Sequence, residues 1–172
     1  MGTCVIIRGA LGAGKTTIAH ALAEAIAGRV VSIDAILDRH GLEEWESGYI
    51  SERSFLRAND FAIEEALPYL RVGRSVIFDG NFYYRRAIED LLDRLPYPHQ
   101  VFTLKVPVDE CRERDRRRAI PLGEEAVQEV FAKVAEVDYG IDVDGCRPVP
   151  EIVAELLRRL PSPSPSRITS SG

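Results

Sequence analysis

The residues best suited to chemistry in this 172-residue chain lie near its amino end, in Gly9-Ala10-Leu11-Gly12-Ala13-Gly14-Lys15-Thr16-Thr17. Small residues let the backbone curl closely round an anion with its N–H groups turned inward, which bulky or φ-restricted residues would prevent. Lys15 adds a point charge suited to β- and γ-phosphate oxygens, and the Thr16 hydroxyl is a ligand for Mg²⁺. A helix starting here would present free N–H groups and a partial positive charge to the same phosphates. The pattern is G-x-x-x-x-G-K-[ST], the phosphate-binding P-loop. A glycine-rich turn that merely joins a strand to a helix would leave Lys15 without a role.

Three further features supply parts for phosphoryl transfer, which needs a triphosphate held in line with its acceptor, neutralised charge and excluded water. Asp34 follows the β-branched run Arg29-Val30-Val31-Ser32-Ile33; it is a candidate general base for an acceptor hydroxyl, or else a helix N-cap. Asp79 follows Ser75-Val76-Ile77-Phe78, the position from which an acidic residue at a strand end orients Mg²⁺ or its waters. Its alternative is an Asx-turn leaving the sheet. Gly80 and Asn81 keep the backbone there open to a ligand, and Arg85 and Arg86 follow. The third feature is the run Arg112-Glu113-Arg114-Asp115-Arg116-Arg117-Arg118, which on a helix gathers Arg114, Arg117 and Arg118 on one face. Bounded by Pro107 and Pro121-Leu122-Gly123, it reads as a lid over residues 108–122 that brings charge onto the transferring group, or as a solvated face laced by Glu113 and Asp115.

The elements that must position these residues alternate in type. The apolar run Cys4-Val5-Ile6-Ile7 precedes the loop, and Ile18, Leu22 and Ile26 recur among alanines after it, a narrow stripe for packing on a sheet, with Gly28 as the helix C-cap. Residues 35–50 lose periodicity and read as a flexible insertion over the site. Ser51 caps a helix to about Leu70, with Pro68 late enough to bend or end it. Helices are expected over 84–95, 108–118, 124–137 and 148–160, and strands over 75–78, 100–106 and 139–143. This alternation indicates βαβ units, a parallel sheet and right-handed crossovers. The proline-serine stretch from Pro161 to the end is expected to be disordered.

Composition excludes much else. With 45% hydrophobic and 28% charged residues the chain is that of an ordinary soluble globular protein, and its length suits one domain. No apolar run approaches the ~18 residues of a membrane span, and no basic leader follows Met1, so a cytoplasmic location is expected. Cys4, Cys111 and Cys146 have neither disulfide nor metal-knuckle spacing and are read as reduced thiols. His20, His40 and His99 are scattered. The net charge of −5 disfavours extended nucleic-acid binding. Trp45, Tyr49 and Phe82-Tyr83-Tyr84 suit either the core or stacking on a planar substrate.

With the P-loop, Asp34, Asp79 and the Arg114/Arg118 pair located, the chain over about residues 1–160 resembles the small P-loop kinases. It is most similar to the AAA-type predicted kinases, a group that includes zeta-toxin-like, chloramphenicol phosphotransferase-like and polynucleotide kinase domains. The resemblance implies a three-layer α/β fold with a five-stranded parallel sheet in the order 2-3-1-4-5, helices on both faces and an arginine-rich lid. It implies ATP held by Gly9, Leu11, Gly12, Ala13, Gly14, Lys15, Thr16 and Thr17, with its base between Arg114 and the segment Asp144-Gly145-Cys146-Arg147, where Gly145 and Arg147 are the contacts. Mg²⁺ would lie at Thr16 and Asp79, and Lys15, Asp34, Arg114 and Arg118 would act on the reacting groups. The acceptor would sit between Asp34, residues 35–50 and the turn after Asp79. The lid lacks zinc-binding cysteines, and of the paired arginines that bind nucleoside monophosphates only Arg53 and Arg57 are candidates.

The expected activity is an ATP- and Mg²⁺-dependent kinase acting on a hydroxyl of a small metabolite, nucleoside or nucleotide. A 5′-hydroxyl nucleic-acid kinase and an ATP-binding regulatory module acting through a protein partner are the alternatives.

Overall fold

The computed structural model of the chain describes residues 2–161, so the expected disorder of the proline-serine tail lies, apart from Pro161, outside the described residues. Five strands, β1 (Cys4–Gly9), β2 (Arg29–Ser32), β5 (Val76–Asp79), β6 (His99–Lys105) and β7 (Ile141–Asp144), form a parallel sheet in the order β2-β5-β1-β6-β7. Counting only these strands, this is the order 2-3-1-4-5 implied by the resemblance. A two-stranded antiparallel hairpin, β3 (Trp45–Glu46) and β4 (Tyr49–Ile50), stands apart from it.

Helices α1 (Lys15–Ala25), α2 (Ile33–Arg39), α3 (Glu52–Arg71), α4 (Arg85–Arg94), α5 (Val108–Arg116), α6 (Glu124–Ala135) and α7 (Val149–Arg159) complete the α/β fold. Because successive side chains of a strand point to opposite faces, β1 feeds two cores. Cys4 and Ile6 pack with Phe55, Ala62 and Leu91 of α3 and α4; Val5 and Ile7 pack with Ile18 and Leu22 of α1 and Ile152 and Leu156 of α7. Burial on both faces is why β1 and β5 read as unbroken apolar runs.

Local chemistry shifts several expected boundaries. The second strand stops at Ser32, whose hydroxyl accepts from the Ala35 amide at 3.2 Å and caps α2. Asp34 therefore lies in the first turn of α2, not at the strand's end, and the N-cap is Ser32. The left-handed residue closing α1 is Ala27, with φ 50°, and not Gly28. Gly28 donates its amide to Ala23 O at 2.8 Å. It is glycine for space, since a Cβ there would stand 2.9 Å from Ile77 Cδ1 and 3.1 Å from Ser75 O. Residues 35–50 are ordered into α2 and the hairpin, whose Ile50 amide donates to the Tyr83 hydroxyl at 3.0 Å while the Tyr84 hydroxyl donates to Ile50 O at 3.1 Å. Pro68 sits inside α3, which runs on to Arg71.

Candidate active site

Parallel register brings the carboxyl ends of β1, β2 and β5 together. Asp79 pairs in register with Ile7 on one side and Ser32 on the other. The loop that leaves β1 thus turns into α1 directly beside Asp79. Gly14, with φ 89°, starts α1 in a left-handed conformation and supplies no side-chain cap, so the first-turn amides keep their donors for an anion. Lys15 is buried, and its ammonium donates to Ala10 O at 2.8 Å. Burial lowers the Lys15 pKa from its ordinary value, while Asp34 and Asp79 nearby pull it back up.

A cavity of about 230 Å³ lies over this loop, lined by Gly12, Gly14, Lys15, Thr16, Thr17, Arg114 and Arg118. The Thr16 hydroxyl donates to Asp79 Oδ2 at 2.7 Å, while Asp79 Oδ1 is buried with no hydrogen-bond partner. A hydroxyl next to a carboxylate with an orphaned buried oxygen fits a hard divalent cation that keeps part of its water and takes the rest of its ligands from phosphate. Among the described residues no group of three or more His, Cys, Asp or Glu side chains is arranged to hold a metal. Any cation at Thr16 and Asp79 would complete its shell with water or ligand oxygens.

The expected base site adjoins this cavity. Ala13, Gly14, Thr17, Arg114, Gly145 and Arg147 line a cleft of about 240 Å³. Arg114 donates to Ala13 O at 3.3 Å and to Gly145 O at 3.1 Å, and its Nε pairs with Glu110 at 2.8 Å. It ties α5 to the loop and to the turn after β7. Arg147 is ion-paired with Glu155 of α7. Contact between α5 and the loop is close enough to demand glycine: a Cβ on Gly12, whose φ is 77°, would stand 2.4 Å from Cys111 O.

On the other side of the loop opens a recess of about 400 Å³ between α2, the hairpin, the turn after β5 and α6. Leu11, expected at the nucleotide, lines this recess, as do Asp34, Glu43, Trp45, Tyr49 and Asn81. Solvent reaches Asp34 through the open mouth, yet the surrounding protein raises its pKa above the ordinary carboxylate value. Lys15 opposes that shift and Asp79 reinforces it. Gly9 ends β1 and lines neither cavity.

The arginine run divides. Arg114 and Arg118 reach the cavity over the loop; Arg117 pairs with Glu113 at 3.0 Å and Arg116 with Glu113 and Glu124, out on the surface. Arg117 therefore does not join the other two, because α5 ends at Arg116 and the chain turns. Arg85 lies over the Tyr139 ring at 4.9 Å and Arg86 faces Glu52 at 3.9 Å; neither lines the recess. His40 stacks on Phe61 at 3.8 Å, and the three cysteines are free thiols. Burial pushes the Cys4 thiol up to about 12.

Arg8 escaped the sequence reading, and Asp115 and Asn81, both named there, are buried in roles it did not assign them. Arg8 is wholly buried inside β1 and donates to Phe82 O, Thr103 Oγ1, Val137 O and Val134 O at 3.2, 3.0, 2.9 and 3.0 Å. An arginine embedded in an apolar strand run was the available signal. Asp115, also buried, accepts from the amides of Leu122 and Gly123 and so fixes the turn into α6. Asn81 is buried with its Oδ1 unpartnered. A further cleft of about 310 Å³ between β6 and α6 is lined by Thr103, Lys105, Val106 and Phe131 and gathers no catalytic set.

A family model described as an AAA domain matches residues 4–137. Among solved structures, a gluconokinase from Sinorhizobium meliloti 1021 superposes with TM-score 0.71 at 19% identity, covering 91% of this chain and 90% of that one. A sugar kinase from Janibacter sp. HTCC2649 superposes with TM-score 0.77 at 20% identity, covering 92% and 94%. The tunicamycin resistance protein of Deinococcus radiodurans gives 0.66 at 21% identity, covering 95% and 100%. At these identities the likeness is one of fold. No curated protein matches the chain by sequence.

Proposed function

Because the chain belongs to the AAA domain family, with the fold of the P-loop kinases, we propose that it is an ATP- and Mg²⁺-dependent kinase acting on a hydroxyl of a small metabolite or nucleoside. The observation that carries this reading is the adjacency of two cavities across Lys15: the phosphate cavity over the loop, and the recess that Asp34 lines. A protein that only bound or slowly hydrolysed ATP has no use for the second.

In this reading the loop amides and Lys15 hold the β- and γ-phosphates, and Arg118 neutralises charge that grows on the transferring group. The base of ATP lies between Arg114, Gly145 and Arg147. Thr16 and Asp79 would hold Mg²⁺, which would supply Lewis-acid charge to neutralise the phosphates. Asp34 accepts the proton of the acceptor hydroxyl as its oxygen bonds to the γ-phosphorus and ADP leaves; a carboxylate with a raised pKa is the better base for that step. Gluconokinase and sugar kinase among the structural neighbours support a small acceptor.

Every arginine of the run is already paired with a carboxylate, Arg114 with Glu110 and Arg118 with Asp115 included, which gives the 5′-hydroxyl nucleic-acid reading little support. ADP release stimulated by an acceptor screen tests the proposal. Lys15→Ala is expected to abolish release with the melting temperature retained, and Asp34→Asn to lower kcat by about 10²–10⁴ with ATP affinity kept. ATP consumption that ignores every hydroxyl acceptor and rises only with a protein partner would overturn it in favour of a regulatory module.

A further inference from the structure

The acceptor recess has a one-sided chemistry. Its lining holds three carboxylates, Asp34, Glu43 and Glu129, and no Lys, Arg or His. Asp34, Glu43 and Glu129 have no ion-pair partner among the described residues. Lys133, the nearest cation on α6, lies against the Tyr49 ring at 5.2 Å and is paired with Glu136 at 2.7 Å. Lys15 and Arg118 line the phosphate cavity and face Asp34 from there.

A second, independent observation points to a ligand. Asn81 is 7% exposed, lines the recess, and its Oδ1 has no hydrogen-bond partner. A buried acceptor atom of this kind carries a desolvation cost that a ligand's N–H or O–H relieves. The Tyr83 hydroxyl, by contrast, is already satisfied by both backbone groups of Ile50. The charged groups of the lining are therefore all acceptors, while its free donors, on Trp45, Tyr49 and the Asn81 amide nitrogen, are neutral. The remaining wall is apolar, and Trp45, 65% exposed, stands at it.

Resting on the kinase reading, we propose that the acceptor is an amine-bearing hydroxyl compound with an apolar ring or chain. Its hydroxyl lies at Asp34, its ammonium between Glu43 and Glu129, an N–H or O–H on Asn81 Oδ1, and its apolar part against Trp45 and Tyr49. Sugar acids and phosphorylated acceptors would bring negative charge to a site with no cation to meet it.

Trp45 is the only tryptophan in the sequence, so its fluorescence reports the recess alone. Three probes alike in size and each bearing a phenyl and a hydroxyl separate the charge classes: 2-amino-1-phenylethanol, 1-phenylethane-1,2-diol and mandelate. The amine is expected to bind at least about tenfold more tightly than the diol, and mandelate most weakly. In the double variant Glu43→Gln, Glu129→Gln, whose residues are exposed and whose fold is checked by melting temperature, the amine-to-diol ratio should fall to about twofold. Mandelate binding as tightly as the amine, an unchanged ratio in the double variant, or no response of Trp45 to any probe would overturn the proposal. ATP titration and ADP release keep the two readings apart. Release stimulated by acids and not by amines sinks the acceptor class alone; the expected order of probe binding without any phosphoryl transfer sinks the kinase reading and leaves the recess chemistry standing.

Discussion

Replacing Arg8 by methionine should cost this protein about 3 kcal/mol of stability and displace the turn that carries Asn81. Arg8 keeps its charge at neutral pH although burial pulls its pKa down to about 10, against Asp142 and Asp138, which push it up. That fall from 12.5 corresponds to about 3 kcal/mol spent on burying the cation. Four hydrogen bonds offset it, to Phe82 O, Thr103 Oγ1, Val134 O and Val137 O. At ~1.5 kcal/mol each, the low end for a charged donor facing neutral acceptors, they outweigh the cost by about 3 kcal/mol. Methionine keeps the stem volume and removes every donor, leaving the Phe82 carbonyl without a partner, while Val134 O keeps only the Val137 amide at 3.3 Å. The assay is urea denaturation, with an accompanying drop in Tm of about 6–12 °C. Phe82 has φ 45°, so its carbonyl bond to Arg8 also holds a backbone conformation that a non-glycine residue rarely adopts. Arg8→Met should therefore raise acceptor KM more than it weakens ATP binding. A loss under about 1 kcal/mol, or equal stability in Arg8→Lys, which lacks the planar fork, would refute this account.

Since the surrounding protein raises the Asp34 pKa, Asp34 is protonated and inert as a base at low pH. kcat should climb with pH through a limb above the ordinary carboxylate range, and Asp34→Asn should remove that limb from the pH profile. Asp79→Asn should raise the Mg²⁺ concentration giving half-maximal ADP release by about tenfold, because Asp79 carries both the Thr16 bond and the orphaned Oδ1; an unchanged Mg²⁺ dependence would assign Asp79 to structure. Gly12→Ala combines a left-handed φ, worth about 1–2 kcal/mol, with a 2.4 Å approach to a backbone oxygen of α5. Calorimetry should show ATP affinity at least about tenfold weaker, and wild-type affinity would show that α5 yields freely.

The parts of this site that were legible in the sequence are those in which local chemistry is also the functional chemistry. A phosphate cradle requires small residues, a lysine and a hydroxyl at fixed offsets, so Gly12, Gly14, Lys15 and Thr16 announce themselves. An acid directly after a buried strand run announced Asp79. Sheet order was implied by the same residues through resemblance, and the structure has it. Asp34 was found for its position after a β-branched run, but the strand that was to end in it gives way to helix one residue earlier, because the Ser32 hydroxyl caps α2 at lower cost than another strand pair.

By itself the sequence determined the alternation of apolar strands with amphipathic helices, and therefore a parallel sheet with the loop at its carboxyl edge; periodicity and propensity are properties of neighbours along the chain. Tertiary structure alone decided which arginines of the run line the cavity over the loop, that Arg8 would bind the distant carbonyls of Val134 in α6 and Val137 beyond it, and that Asp34, Glu43, Asn81 and Glu129 would line one recess. These are meetings between residues tens of positions apart. Their partners are chosen by strand register and helix packing, and no short window of sequence carries that information.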